Sequence, residues 1–163
     1  MLADACKGGL AGIGAGWLMD AVTSVMYDRE DPVARSREED ARGGKHAYEI
    51  AAQKAARLFG RQLDDEQARR AGAKIHGWLG FGMGALYGVL RRRVPGLRLG
   101  DGLLFGVAFF LLVDELANTA LRLTPGPRAF PWQTHARGLA GHVAYGVATE
   151  TELRLLERVA AAI

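Results

Sequence analysis

Four apolar runs, each rich in glycine, constrain what this chain of 163 residues can fold into. The runs cover residues 8–27, 75–90, 102–121 and 138–149. A helix that crosses a bilayer needs about 20 mainly apolar residues, and long Lys and Arg side chains at its ends can reach the interface. With their flanking residues, all four runs reach this length. We therefore expect membrane spans at about 8–27, 72–91, 102–121 and 134–152.

The spacing of the glycines favours a bilayer over water around these runs. An interior glycine costs a helix in water about 1 kcal/mol relative to alanine. In a bilayer, small residues at every fourth position let two helix backbones approach closely. The glycines expected to pack in this way are Gly8, Gly12, Gly16, Gly80, Gly84, Gly88, Gly102, Gly106, Gly138 and Gly146. The sequence thus predicts an all-α integral membrane four-helix bundle that forms a single membrane domain over residues 1–163. A glycine-rich soluble bundle is the alternative.

A densely charged segment, residues 28–70, separates the first two runs. Residues 27–46 combine a proline, a glycine pair and mixed charge, so we interpret them as a loop. Residues 47–61 place apolar side chains on one helical face and charged ones opposite, which predicts an amphipathic helix. Such a helix suits the membrane surface, and packing against the rest of the protein is the alternative. Asp64 or Asp65 is expected to cap the helix that follows.

The four runs also indicate an internal repeat. The first run aligns with the third at an offset of 94 residues, and the second aligns with the fourth at an offset of 58. The segments ALYGV (85–89) and VAYGV (143–147) show the second match best. Such a repeat predicts two tandem helical hairpins of the same orientation. It also pairs Asp20 with Asp114, so both carboxylates are expected to face the bundle interior.

The second half of the chain contains VPGLRLGDGLLFG (94–106), LTPGPRAFPW (123–132) and GHVAYG (141–146), in that order. This order and spacing resemble the YagU-like inner-membrane proteins of bacteria, over roughly residues 75–160. The resemblance implies a small multi-pass protein of the bacterial inner (cytoplasmic) membrane. It also implies a link to acid resistance, in a family whose molecular activity is not settled.

Ionisable side chains inside the apolar runs are the candidate functional residues. They are Asp20, His76, Asp114, Glu115 and His142. Ionisable groups within a membrane are costly and so indicate function, and histidine titrates near neutral pH. A cluster that senses or conducts protons is one hypothesis. The other is that these groups brace the helices, with His142 or Asn118 bonding a carboxylate across the bundle.

The adjacent carboxylates Asp114 and Glu115 are expected to have different surroundings. Neighbouring residues of an α-helix point about 100° apart, so the two cannot face one partner equally well. We expect Asp114 at the interior, near Asp20, His76 or His142. Glu115 is expected to point to a neighbouring helix, to the bundle edge or to a subunit interface.

Other functional classes have weaker sequence signals. His135 and His142 lie seven residues apart and could join Asp114 or Glu115 at a metal, but the sequence has no compact ligand motif. It also has no nucleophile with a base and no phosphate-binding loop, so we expect no cofactor, no metal and no enzyme activity. A net charge of +3 is too small to indicate nucleic acid.

Two functions from different classes remain open. One is a small membrane protein that handles protons or ions under acid stress. The other is a structural or accessory subunit that packs through its glycine faces. The expected partners are the lipid bilayer and either a second copy of the chain or another membrane protein. A short loop with Arg91–Arg93 and Arg98, together with Lys7, Arg154 and Arg158, favours cytoplasmic termini.

Overall fold

The computed structural model of the protein describes residues 1–161. Within that range every regular element is helical and no strand is present, so the all-α prediction is confirmed. The α-helices are α1 (Leu2–Asp28), α2 (Pro32–Arg42), α3 (Ala47–Leu58), α4 (Asp65–Leu90), α5 (Leu103–Phe109), α6 (Asn118–Ala120) and α7 (Trp132–Ala161). A π-helical segment (Phe110–Ala117) joins α5 to α6, and 3-10 helices lie at Pro95–Gly102 and Pro127–Ala129.

Two helical stretches are long and apolar enough to cross a membrane, by length and composition. They are α1 and the continuous stretch Pro95–Ala120, which hold the first and third predicted spans. The second and fourth predicted spans lie in α4 and α7. Among residues 1–161, no helix besides these two stretches has the length and hydropathy of a membrane span.

α1 runs antiparallel to both α4 and α7, so the bundle has two distinct ends. At one end Arg92 contacts Asp4 of α1 at 3.2 Å and Glu157 of α7 at 3.1 Å. We call this the arginine end. The opposite end holds the far end of α1, the start of α4 and the start of α7, and it carries α2 and α3.

The loop predicted over residues 27–46 is wrong, because α2 forms within it. Asp31 caps the first turn through its side chain, and the proline that follows suits the first helical position. Gly43 ends the helix in the left-handed conformation, with φ 62°. Glu38 is buried, so contacts with distant parts of the chain stabilise α2. Its charged sequence alone does not indicate these contacts.

The amphipathic helix predicted after this segment is present as α3 and packs on α4. A Cβ atom on Gly72 would lie 2.9 Å from the backbone nitrogen of Glu49, so only glycine lets the two helices approach this closely. Lys54 also donates a hydrogen bond of 2.7 Å to the carbonyl oxygen of Leu121, which ties α3 to the end of α6. α4 itself begins at Asp65, and of the two predicted caps it is the side chain of Asp64 that caps the first turn.

Glycines form the contact between α1 and α4. A Cβ on Gly84 would collide with the carbonyl oxygen of Gly8 and would lie 2.7 Å from the Cα of Gly12. A Cβ on Gly12 would lie 2.5 Å from the carbonyl oxygen of Gly80, and one on Gly88 would collide with the backbone at Asp4. The two backbones therefore touch directly over more than one helical turn.

A second glycine contact joins α5 to α7. A Cβ on Gly102 would collide with the carbonyl oxygen of Gly146, and one on Gly106 would collide with that of His142. Gly102 also has φ 96°, which disfavours any other residue there. The repeat alignment matches Gly102 with Gly8 and Gly146 with Gly88. An added Cβ on Gly8 meets the carbonyl oxygen of Gly84, whereas one on Gly102 meets that of Gly146, whose match is one helical turn beyond Gly84. The two hairpins thus use matching glycines in a shifted register.

Two of the glycines with a predicted packing role lie outside these backbone contacts. A Cβ on Gly16 would meet no heavy atom of residues 1–161 within 4 Å, so the packing role predicted for Gly16 is not supported. The reason is that α1 and α4 diverge beyond Gly12 and leave a space between them. Gly138 instead faces the ring of Phe110, whose Cε2 atom would lie 2.9 Å from an added Cβ.

Candidate functional site

A cavity of about 760 Å³, lined by many ionisable residues, lies at the end of the bundle opposite the arginine end. We call this cavity the vestibule. Residues of α1, α2, α3, α4, α7 and the π-helical segment all contribute to its wall. Six carboxylates line it: Asp20, Asp28, Glu39, Glu49, Asp114 and Glu115. Four of the five candidate residues predicted from the sequence therefore meet here, since His76 lines the vestibule as well.

The π-helical segment carries Asp114 and Glu115 on the vestibule wall. Its hydrogen bonds run from residue i to i+5, which widens the turn, and such segments are frequent at functional sites. Both carboxylates reach α7, where Asp114 lies near His142 and Glu115 contacts His135. The two neighbours thus have different histidine partners, as expected, and Glu115 points to a neighbouring helix.

Glu115 and His135 form the closest pair in the vestibule. The Nδ1 atom of His135 lies 2.6 Å from Glu115 Oε1, and its Nε2 atom lies 3.0 Å from the carbonyl oxygen of Pro127. A carbonyl oxygen can only accept, so Nε2 must carry a hydrogen. The bond to Glu115 then needs a second proton, held either by Nδ1 or by the carboxyl group. The pair is therefore built to share one proton, and both side chains remain partly exposed to the vestibule.

Asp114 lies beside a histidine that is held differently. His142 is only 2% exposed, and the ring of Phe109 meets it edge-on with centroids 4.7 Å apart. Its Nδ1 atom donates to the carbonyl oxygen of Gly138 at 2.8 Å, because that oxygen can only accept. Asp114 Oδ2 lies 3.8 Å from the same nitrogen, too far for a hydrogen bond. His142 thus offers Asp114 a positive charge only when its ring is protonated.

The other vestibule candidates, Asp20 and His76, lie around the tyrosine of α3. The rings of Tyr48 and His76 stack with centroids 5.0 Å apart. Burial, with the nearby charges of Asp114 and Asp20, raises the pKa of Tyr48, which stays protonated at neutral pH. Asp20 is exposed and has no ion pair among residues 1–161. Asp20 and Asp114, which the repeat alignment matches, both lie on the vestibule wall.

The arginine end also holds a buried charge cluster that the sequence does not indicate. Glu150 is fully buried, and the hydroxyl of Tyr87 donates to it at 2.8 Å. Arg91 lies against the same carboxylate at 3.0 Å, and Arg154 donates to it at 2.7 Å. Arg91 also contacts Glu157 at 3.3 Å. The cluster thus ties α4 to α7 by matched charges.

A second arginine-based cluster joins α2 to α7 beside the vestibule. Arg137 donates to both oxygens of Glu38 at 2.6 Å, and Thr134 donates to Glu38 at 2.8 Å. Burial raises the pKa of Glu38, but these hydrogen bonds and the charge of Arg42 outweigh it, so the pKa lies below its ordinary value of 4.5. Arg137 also pairs with Glu30.

Sequence signals for these partners exist but are weak. Glu150 and Arg154, like Glu38 and Arg42, stand four residues apart, which is the spacing of an ion pair on one helical face. That spacing is common on exposed helices and does not indicate burial. His135 was considered only as a metal ligand. Among residues 1–161, no three His, Cys, Asp or Glu side chains come together as a metal site.

Comparisons of this chain with protein families, with curated proteins and with solved structures found no match.

Proposed function

We propose that this chain is a four-span protein of the bacterial inner membrane that binds and releases protons in its vestibule. α1 and the stretch Pro95–Ala120 have the length and apolar composition of spans. α4 and α7 lie against them through glycine contacts, which is the way small residues pack helices in a bilayer. The resemblance to YagU-like proteins supports the same membrane and a role in acid resistance, and it forms part of the proposal.

The proposed orientation places the arginine end in the cytoplasm. Short loops rich in Lys and Arg stay on the cytoplasmic side, and the loop after α4 carries Arg91, Arg92, Arg93 and Arg98. Both chain termini then lie in the cytoplasm, and the vestibule faces the periplasm. The periplasm is the side from which external acid reaches an inner-membrane protein.

One observation carries the proposal: Glu115 and His135 lie in hydrogen-bond contact on the wall of the vestibule. Neither partner is fully buried, so protons can reach the pair through the vestibule. Asp114 and His142 form a second carboxylate–histidine combination within the same wall. Histidine is the side chain whose charge ordinarily changes near neutral pH.

Infrared titration of the carboxyl stretch tests the proposal. We expect at least one carboxyl signal that titrates above about pH 5, well above the ordinary range of Asp and Glu. That signal should disappear in Glu115→Gln or in Asp114→Asn. The matched control is Glu39→Gln, an exposed carboxylate at the vestibule rim on α2, which should leave the signal unchanged.

Proton uptake by the protein on acidification is the second readout. The variant that loses the carboxyl signal should also take up fewer protons between about pH 7 and pH 5, whereas Glu39→Gln should match the wild type. If neither Glu115→Gln nor Asp114→Asn removes a titrating signal, the carboxylate–histidine pairs only brace the helices, and the proposal of proton handling is wrong.

A further inference from the structure

A second cavity lies between α1 and α4, where the two helices diverge. Its volume is about 620 Å³. The helices touch at Gly12 and Gly80, but added Cβ atoms on Gly16 and Gly77 would meet no heavy atom of residues 1–161 within 4 Å. The absence of side chains at these two positions therefore leaves a groove whose closed end is the glycine contact and whose other end reaches Asp20. We call this cavity the groove.

The groove has aromatic walls. Trp17 and Trp78 line it and are 74% and 71% exposed. Phe81 meets the ring of Trp78 edge-on, with centroids 5.7 Å apart. Phe109 and Tyr145 line the side that faces the bundle interior. An apolar cleft with aromatic walls is typical of a small-molecule site.

The groove and the vestibule meet at shared residues. Asp20, Tyr48 and His76 line both cavities. Each of the three arginines that line the vestibule already has a carboxylate partner: Arg42 pairs with Glu38, Arg69 with Glu66, and Arg137 with Glu30 and Glu38. Asp20 has no such partner among residues 1–161. The junction of the two cavities therefore carries a carboxylate, Asp20, with no ion-pair partner in the described part of the chain.

We propose that the groove binds an amphipathic organic cation. Its apolar body lies against Trp17, Trp78 and Phe81, and its cationic group lies beside Asp20 and Tyr48. Cations bind favourably over aromatic faces, and more strongly where water is excluded. The inference rests on the proposed membrane setting, because the exposed tryptophans then open the groove sideways to lipid, where such molecules accumulate.

Lys74 also lines the groove and could favour an anion instead. The test therefore compares tetraphenylphosphonium with tetraphenylborate, which have the same shape and opposite charge. Binding of each labelled probe is measured on the protein in lipid nanodiscs, with empty nanodiscs subtracted for partition into lipid. We expect saturable binding of tetraphenylphosphonium and none of tetraphenylborate.

Substitutions then locate the site. Asp20→Asn should weaken tetraphenylphosphonium binding by about tenfold, the loss of one favourable charge interaction. Trp78→Ala should weaken it as well. The matched control is Asp40→Asn, which removes an exposed carboxylate on α2 that lines neither cavity. Asp20 is exposed, so its substitution should leave the melting temperature unchanged.

Three results would overturn the inference: no saturable binding of the cation, preferred binding of tetraphenylborate, or full binding in Asp20→Asn. None of them bears on proton handling, because the infrared titration of Glu115 and Asp114 is made without the probe. Conversely, a failed titration leaves the binding measurement and its dependence on Asp20 intact. The two proposals therefore fail separately.

Discussion

The carboxylates at the two ends of this bundle differ in burial and in the kind of partner they have. At the arginine end, Glu150 is fully buried and is held by Tyr87, Arg91 and Arg154. At the vestibule end, Asp114 and Glu115 are partly exposed and have histidines as neighbours. Arginine stays charged at every relevant pH, whereas histidine changes charge near neutrality.

The partner of a carboxylate, more than its depth in the bundle, therefore decides what that carboxylate can do. A carboxylate fixed by arginine keeps its charge, so it can hold helices together but cannot carry a proton. A carboxylate beside histidine can gain and lose a proton as the pH of the adjoining water changes. The arginine end is therefore the structural end on this interpretation, and the vestibule is the functional one.

The largest expected effect comes from breaking the arginine end. Glu150→Leu leaves Arg91 buried with only the half-exposed Glu157 as partner. Removing one member of a buried ion pair typically costs about 3–5 kcal/mol in the free energy of unfolding. Glu115→Gln at the vestibule should cost about 1 kcal/mol, because its site is partly exposed to water. Thermal unfolding of both variants in the same detergent measures the difference.

A double substitution checks the physical reason. Replacing both charges by apolar groups of similar size removes the unpaired ion, so Glu150→Leu with Arg91→Met should regain most of the lost stability. If the double variant is no more stable than Glu150→Leu alone, the loss does not come from an unpaired charge. The contrast between the two ends would then lose its electrostatic basis.

An intermediate effect is expected where the helices touch. In Gly84→Leu the new side chain would collide with the backbone of Gly8, which should cost about 1–3 kcal/mol or more, as overpacking does. The matched control is Gly16→Leu, which lies on α1 two turns beyond Gly8 but in the open groove. It should keep the melting temperature of the wild type, as should the truncation of exposed Leu111 to alanine. Equal melting of Gly84→Leu and Gly16→Leu would contradict the close-packing argument.

Much of the helical framework was predictable from local signals. The cap at Asp64 and the close glycine contacts of Gly84 and Gly146 follow from residue types whose physical roles are local. α2 was missed because its dense charge resembles a loop. Its signals, Asp31 before a proline and Gly43 at the end, only become decisive once Glu38 is known to be buried.

The site was predictable only in part, for a different reason. Asp20, His76 and Asp114 could be singled out because each is an ionisable residue in an apolar run. Their partners depend on how distant segments meet: His135 reaches Glu115 only because a proline-rich turn folds α7 back. The π-helical segment has no marker in its apolar sequence, so its presence around Asp114 and Glu115 could not be foreseen.

The smallest expected effect tests whether partner or position governs the carboxylates. Glu38 lies beside the vestibule but has Arg137 as its partner, so it should behave like Glu150 rather than Glu115. Its pKa in the folded protein lies below the ordinary value of 4.5. A lowered pKa stabilises the fold above that ordinary value, and the contribution is lost as the pH falls through the lowered pKa. The melting temperature of the wild type should therefore fall below about pH 4.5.

Glu38→Gln should melt lower at pH 7 and show a shallower acid decline. Glu39→Gln, its exposed neighbour, should follow the wild type. If Glu38→Gln retained the full acid decline, arginine pairing would not set the behaviour of this carboxylate, and position in the bundle would be the better explanation of the contrast.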